Sequence, residues 1–491
     1  MTAAAGVFML ISVAILMIAT GLPAWMLLIG VALAFSLGGL AIGTFTLPLL
    51  TAMPARLLGL LEHDLLQALP LYVFMGALLN RLPLAEILFH VGSRALHRTG
   101  AGMPLAGLGL GVLLAPMNGS VGASVAMLSR TLQPKLDAAG MPAERSAALC
   151  CMASTMGVVI PPSLVLILLG DAMLRAHTEA INATGPLFGG ARIINTQDVF
   201  HGALIPAALL LVLSGVITWF IGRVQPTNTA KASTPIQTSA SNWLIAMSTS
   251  AFIIALLAGV ALGYLYAVEA AATGAVALFV FGLVTRALNW PLLKAVLRDT
   301  MAITGALFAL LIAATMFTLV VRAFGSDRWI AAQLLQLGHH PWRVLAIVLA
   351  ILAACAFVLD AFEMIFVVIP LVLPPLLMQI PDAVWVAVLT LMILQTSFLI
   401  PPFGYAVMMV RNRSAHRLQT GKLIRALWPY LLAQLLVLAA VIAWPNMLWR
   451  DAALSPKTEI SSPLNRNIDL NEMLGKQLEQ NQADESKQAK P

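Results

Sequence analysis

Apolar residues occupy this chain in long unbroken runs. Gly6 to Leu50, Leu65 to Leu79, Val199 to Ile221, Trp243 to Leu262, Ala267 to Leu283 and Leu423 to Trp444 predict helices able to cross the roughly 30 Å of a bilayer's hydrocarbon. Alternation of period two is absent, which argues against a β-barrel. The pattern predicts an all-α polytopic membrane protein. Met1 to Thr20 has no basic start and a second apolar run follows at once, so it reads as the first helix and not as a cleaved leader. Three polar stretches interrupt the pattern. Residues 223–241, rich in Thr, Ser, Ala and Pro, read as a linker between a first half (1–222) and a second half (242–449). Residues 450–491, full of Asn, Gln, Glu and Lys, cannot bury a core and read as a disordered tail. The insert Asp171 to Asp198 reads as an external loop or a partner contact.

The two halves share their breaks. Pro161-Pro162 recurs as Pro401-Pro402, 240 residues on, and Pro134 recurs as Pro374 at the same offset. Weak internal symmetry with interrupted helices at matching places is the sequence sign of a secondary transporter built from two inverted repeats. Each half then holds a re-entrant hairpin, near 104–138 and near 344–378, and a broken helix, near 157–163 and near 395–404. Consecutive prolines remove two amide donors and push Ile160 out of the α region, so the helix breaks there.

The candidate chemistry lies at these breaks. Ala115 to Ser124 separates Met103–Leu114 from Val125–Leu136, each too short to cross alone, which reads as a hairpin whose turn sits at membrane depth. A helix contact between small residues is the plainer alternative. Free amides where the second arm starts suit a carboxylate, and free carbonyls where the first arm ends suit a cation. The substrate candidates are Asn118, Gly119, Ser120, Ser124, Ser163 and Phe362. The second hairpin places Asp360 and Glu363 in the apolar run Val344 to Leu377, where an ionisable group is costly and points to function. Asp360 is the candidate cation ligand; Glu363 is a proton carrier, faces a water-filled vestibule or binds an ion directly.

Composition agrees with the membrane reading: 60% of residues are hydrophobic, 10% are charged and mean hydropathy is +0.91. A net charge of +7 could suggest nucleic acid, but the basic residues are scattered between apolar runs and form no stripe. Loop topology accounts for them. Placing 81–98, 130–145, 223–242, 286–298 and 411–425 in the cytoplasm puts 16 of the 28 Lys and Arg residues there and only 6 in external loops. Ten crossings would then leave both termini outside. Leu84 to Leu96 and Trp290 to Arg298 read as helices lying in the interface. Cys150, Cys151 and Cys355 form no metal or disulfide pattern and read as packing residues. No HExxH or Gly-x-Ser-Gly motif supports an intramembrane enzyme. No cofactor is expected beyond coupling ions.

Motifs recurring in order from Gly6 to Ala443 resemble the large permease subunit of TRAP transporters: Pro70 to Gly76, Asn118 to Ala126, Gly157 to Ser163, Val268 to Ala271, Leu359-Asp360 and Leu399 to Gly404. The finer resemblance is to the mannitol/chloroaromatic or keto-acid subgroup. The resemblance implies an elevator-type fold in the bacterial inner membrane, importing a small organic acid with sodium. It also implies two partners, a small four-helix membrane subunit and a periplasmic solute-binding protein. Carried over, one sodium site falls among Asn118, Gly119, Ser120 and Gly157, and the other among Asp360, Gln395, Thr396 and Ser397. A self-sufficient anion symporter needing no receptor is the alternative.

Overall fold

The computed structural model describes residues 4–44, 53–61, 64–184, 193–224, 240–336, 340–400, 404–414 and 418–449. Among them every regular element is a helix, the form in which a backbone surrounded by lipid satisfies its own hydrogen bonds. Among the described residues seven stretches are long and apolar enough to cross a bilayer, the broken pair Ala143–Thr184 counted as one. An eighth crossing results if Leu69–Arg81 and Leu84–Ala95, bent by 62°, count as one broken span. The bend falls at Pro83, which has no amide to continue the helix.

In the first half α1 (Ala5–Thr20), α2 (Ala24–Ala41), α3 (Met53–Leu61), α4 (Leu69–Arg81) and α5 (Leu84–Ala95) lead to a hairpin. Its arms are α6 (Gly102–Leu114) and α7 (Val121–Thr131), the latter continued by α8 (Gln133–Ala138). A broken pair follows, α9 (Ala143–Val159) and α10 (Leu164–Thr184), then α11 (Thr196–Val224). The second half opens with α12 (Ala240–Ala261), α13 (Ala267–Val284), α14 (Trp290–Ala323) and α15 (Ser326–Gln336). Its hairpin arms are α16 (Pro341–Cys355) and α17 (Ala361–Leu377), the latter wound as a π-helix over Met364–Val368. The broken helix begins with α18 (Ala383–Leu399) and resumes as α19 (Tyr405–Arg413), before α20 (Thr420–Ala443).

The halves repeat each other in detail. α9 and α18 are both 17 residues long and start 240 residues apart. Each ends on an isoleucine that precedes a proline and takes the extended conformation this requires, Ile160 at φ −80°, ψ 118° and Ile400 at φ −74°, ψ 112°. Ser120 and Asp360, again 240 apart, are the N-caps that open the second hairpin arms. α9 and α18 are the centre of the molecule: all of α18 is buried, as is α9 from Ser146 onward. α7 packs on α19 and α17 packs on α10, so each hairpin's second arm lies against the far segment of the other half's broken helix. α14 packs along α2 and α4 outside this centre. Phe8, Ile15, Val212, Phe220, Val276 and Val284 stand exposed on α1, α11 and α13, a surface suited to lipid.

Several sequence expectations are corrected. The insert expected as a loop from Asp171 is helical through Thr184, because Ala, Met, Leu, Arg and Glu there favour helix and Arg175 pairs with Asp171 at 3.1 Å, one turn away. Trp290 to Arg298 is no separate interfacial helix. It opens the 34-residue α14: Asn289 caps the first turn by accepting from the Leu292 amide at 2.9 Å, and no breaker follows. The second arm of the first hairpin starts at Val121, not Val125, since Ser120 caps it. The central linker positions 225–239, the tail 450–491, and Pro401 and Pro402 lie outside the described residues.

Candidate functional site

The tip of the first hairpin is built by local chemistry. Pro116–Asn118 forms one 3-10 turn, and Gly119 then takes φ +71°, a conformation that costs an L side chain strain. Ser120 is extended and its Oγ accepts from the Ala123 amide at 3.1 Å, the expected role of an N-cap serine. Asn118 Nδ2 donates to Ser124 Oγ at 3.1 Å, and Ser124 Oγ donates to the Ser120 carbonyl at 3.2 Å. The arms run side by side: a Cβ on Gly107 would lie 2.6 Å from the Leu132 side chain.

Two glycines let the tip seat deeply. A Cβ on Gly76 of α4 would come within 2.8 Å of the Asn118 backbone, and one on Gly157 of α9 within 2.5 Å of the Ala115 carbonyl carbon. Between tip and broken helix a cavity of about 10 Å³ remains, room for a body the size of a water molecule. Gly119, Ser120, Ser154 and Gly157 line it together with apolar groups of Ala115, Pro116, Val121, Val158, Leu164 and Val165. Ser154 Oγ donates to the Cys151 carbonyl at 2.8 Å, which leaves its lone pairs available to a cation. Beside the cavity Asn118 Oδ1 is buried without a partner.

The second half repeats the plan with more charge. Asp360 is the N-cap of α17, and Glu363 Oε2 accepts from the Asp360 amide at 3.0 Å. Phe362 and Glu363 are buried against the body. On α18, Thr396 Oγ1 donates to the Met392 carbonyl at 2.6 Å and Ser397 Oγ to the Leu394 carbonyl at 2.7 Å. Both hydroxyl donors are thus used and their oxygens remain as acceptors. Gln395 is fully buried and neither its amide oxygen nor its nitrogen has a partner. A buried unpaired amide costs about 1–3 kcal/mol, so an apolar core would not retain it without reason.

The structure therefore brings Asn118, Gly119, Ser120 and Gly157 together around the first tip, and sets Gln395, Thr396 and Ser397 at the end of α18 next to its break. Ser124 and Ser163 are buried braces: Ser163 Oγ donates to the Val158 carbonyl at 3.0 Å and accepts from the Leu166 amide at 3.1 Å, bridging the break in the first broken helix. Sequence reasoning missed two residues. Ser154 lies one turn before Gly157 on the same face of α9, a spacing that could have singled it out. Tyr405, the first residue of α19, sets its hydroxyl 2.7 Å from where a Cβ on Gly122 would stand. Its ring meets Phe398 edge-on with centroids 6.2 Å apart. Tyr405 thus seats the broken helix of the second half against the first hairpin, a contact that only the crossed packing of the halves creates.

Paired hairpins and broken helices meet in each half, with a water-sized gap at the first tip. Residues 10–447 match the family described as tripartite ATP-independent periplasmic transporter, DctM component. The chain belongs to this family. It is similar to the C4-dicarboxylate TRAP transporter large permease proteins DctM of Pseudomonas aeruginosa (23% identity over 84% of this chain and 93% of that one) and of Rhodobacter capsulatus (22%, over 87% and 98%). It is also similar to the sialic acid TRAP transporter large permease protein SiaM of Vibrio cholerae (23%, over 87% and 93%). Its fold is like that in the crystal structure of the Alcanivorax borkumensis YdaH transporter, described as revealing an unusual topology, with a TM-score of 0.56 at 16% identity over 82% of this chain and 89% of that one. As a TRAP large permease subunit the chain is a multi-pass protein of the bacterial inner membrane and a transporter component, not an enzyme.

Proposed function

We propose that this TRAP large permease subunit imports a small organic acid together with sodium ions. The observation that carries the reading is the water-sized gap between the first hairpin tip and α9, lined by Ser120, Ser154 and two glycines whose missing side chains leave backbone within reach. Sodium prefers several hard oxygen ligands, and hydroxyl oxygens with free carbonyls supply them without charge. The matching region offers Gln395, Thr396, Ser397 and the Asp360 carboxylate to a second ion. The substrate carboxylate is received by the amides of Val121 and Gly122, which have no partner within α7 because they open it, with Asn118, Gly119, Ser120 and Phe362 around them. Tyr405 offers a further hydroxyl beside Gly122. The relatives named for C4-dicarboxylates and sialic acid support an acidic substrate, and the keto-acid resemblance fits the same class. A periplasmic solute-binding protein delivers the acid and a small four-helix subunit completes the membrane part. The hairpins and broken helices move as a carrier against the outer helices.

The test is uptake into proteoliposomes holding the permease with both partners. A sodium gradient should drive accumulation and a proton gradient without sodium should not. Equal uptake under the proton gradient alone would reject sodium coupling.

A further inference from the structure

At the base of the first hairpin, away from the transport site, one lysine fastens two elements together. Lys135 of α8 directs Nζ to Glu86 Oε1 at 2.9 Å and to His90 Nε2 at 2.8 Å, both on α5, and lies 5.4 Å from the centre of the Phe89 ring. An ammonium has donors only, so the ring nitrogen that meets it must present a lone pair. His90 is therefore neutral in this arrangement. A proton on Nε2 would set a second cation and a second donor against Lys135, and the contact could not persist.

Among the described residues the charges that act on His90 are those of Lys135 and Glu86. α6 and α12, which also pack on α5, carry no ionisable side chain. Arg81 at the end of α4 is taken by Asp299 at 2.6 Å, and His97 turns its Nδ1 to the Arg94 carbonyl at 2.8 Å. Arg130 donates to the Asn80 carbonyl of α4, and its charge reaches Glu86. Burial first, and then the Lys135 charge, hold the His90 pKa below the usual imidazole range, against a smaller opposing pull from Glu86. The Lys135 hydrogen bond and charge hold the Glu86 carboxyl below its ordinary value. A histidine whose folded pKa is depressed contributes stability that is full above its unfolded value of about 6.5 and is lost as pH falls through that value toward the folded one. A second tie of the same base, Gln133 Nε2 donating to Ser414 Oγ at 2.7 Å, is uncharged and indifferent to acid.

We propose that Lys135, His90 and Glu86 form an acid-released clamp that holds the base of the first hairpin against α5, and that a proton on His90 frees that base. The tip carrying Asn118 and Ser120 belongs to the same hairpin, so release loosens the element on which one ion gap depends. In the topology proposed above, the clamp faces the cytoplasm and responds to acid there.

The test needs no substrate. The purified full chain in lipid nanodiscs is followed by hydrogen exchange, corrected for the intrinsic effect of pH, over residues 130–140 and over 383–395 of α18, which carry no ionisable side chain. Between pH 7.5 and pH 5 protection at 130–140 should fall several-fold, while 383–395 stays level. His90→Gln, whose amide oxygen accepts from Lys135 at any pH, and Lys135→Met should both abolish the fall. A level wild type, an equal fall at 383–395, or a fall that persists in either variant would overturn the clamp.

Discussion

Asp360 and Glu363 sit one turn apart at the opening of α17, yet their surroundings assign them different work. Glu363 is buried and accepts from the Asp360 amide, which closes the cap. Asp360 caps the helix while its side chain is only half-buried, so a carboxylate oxygen remains for a cation. Asp360→Asn keeps the shape and removes a full charge where attraction is poorly screened. Its expected effect is a weaker apparent sodium affinity, about tenfold or more, partly recovered at high sodium, with an unchanged size-exclusion profile; Glu363→Gln should disturb folding more than sodium dependence, because it weakens the cap. Sodium-dependent uptake beside thermal unfolding separates the two. A normal sodium dependence in a folded Asp360→Asn would leave Gln395, Thr396 and Ser397 as the ligands. Both acids were legible in the sequence as charges in an apolar run. Their capping geometry was not, since a sequence does not say which carboxylate turns back onto its own helix.

At the scale of elements, the contact between the first hairpin and α9 depends on atoms that are missing. Gly157→Ala would put a methyl within 2.5 Å of the Ala115 backbone, which cannot yield as a flexible side chain can. The substitution should push the tip away from α9, cost about 1–3 kcal/mol and abolish uptake, while Gly109→Ala, on the same hairpin with nothing within 4 Å, should be tolerated. Thermal midpoints and uptake of the two variants compare a filled contact with an open one. Gly157 was singled out in the sequence by the break that follows it; Gly76 was quoted only within a motif. Spacing marks where a helix ends, whereas the partner a glycine makes room for comes from the other element.

For the molecule as a whole, the proposed topology places the end of α10 and the tail after Arg450 in the periplasm. Asn182 is exposed at the end of α10. Single cysteines at position 182 and in the tail should react with a membrane-impermeant maleimide in intact spheroplasts, whereas one at Arg413 should react only after lysis. Protection of the first two would invert the model of insertion, and with it the side on which the His90 clamp senses acid. The basic loops set this orientation, because Lys and Arg resist transfer across the membrane while the apolar helices do not distinguish its faces.

The sequence by itself determined the helical class, the pairing of the halves at an offset of 240 residues, and the places where helices must stop. These follow from local forces: apolar length, the missing amide of proline, and the extended backbone a proline imposes on Ile160 and Ile400. Tertiary structure decided what the stops confront. It extended α10 to Thr184 within the supposed loop, joined the interfacial segment at Trp290 to α14, and brought Ser154 to the gap and Tyr405 to Gly122. It also set Lys135 between Glu86 and His90, 45 residues from the histidine in sequence. Such contacts depend on how whole helices cross and on which side chains leave room, and no local pattern along the chain records the position of a neighbour that folding alone supplies.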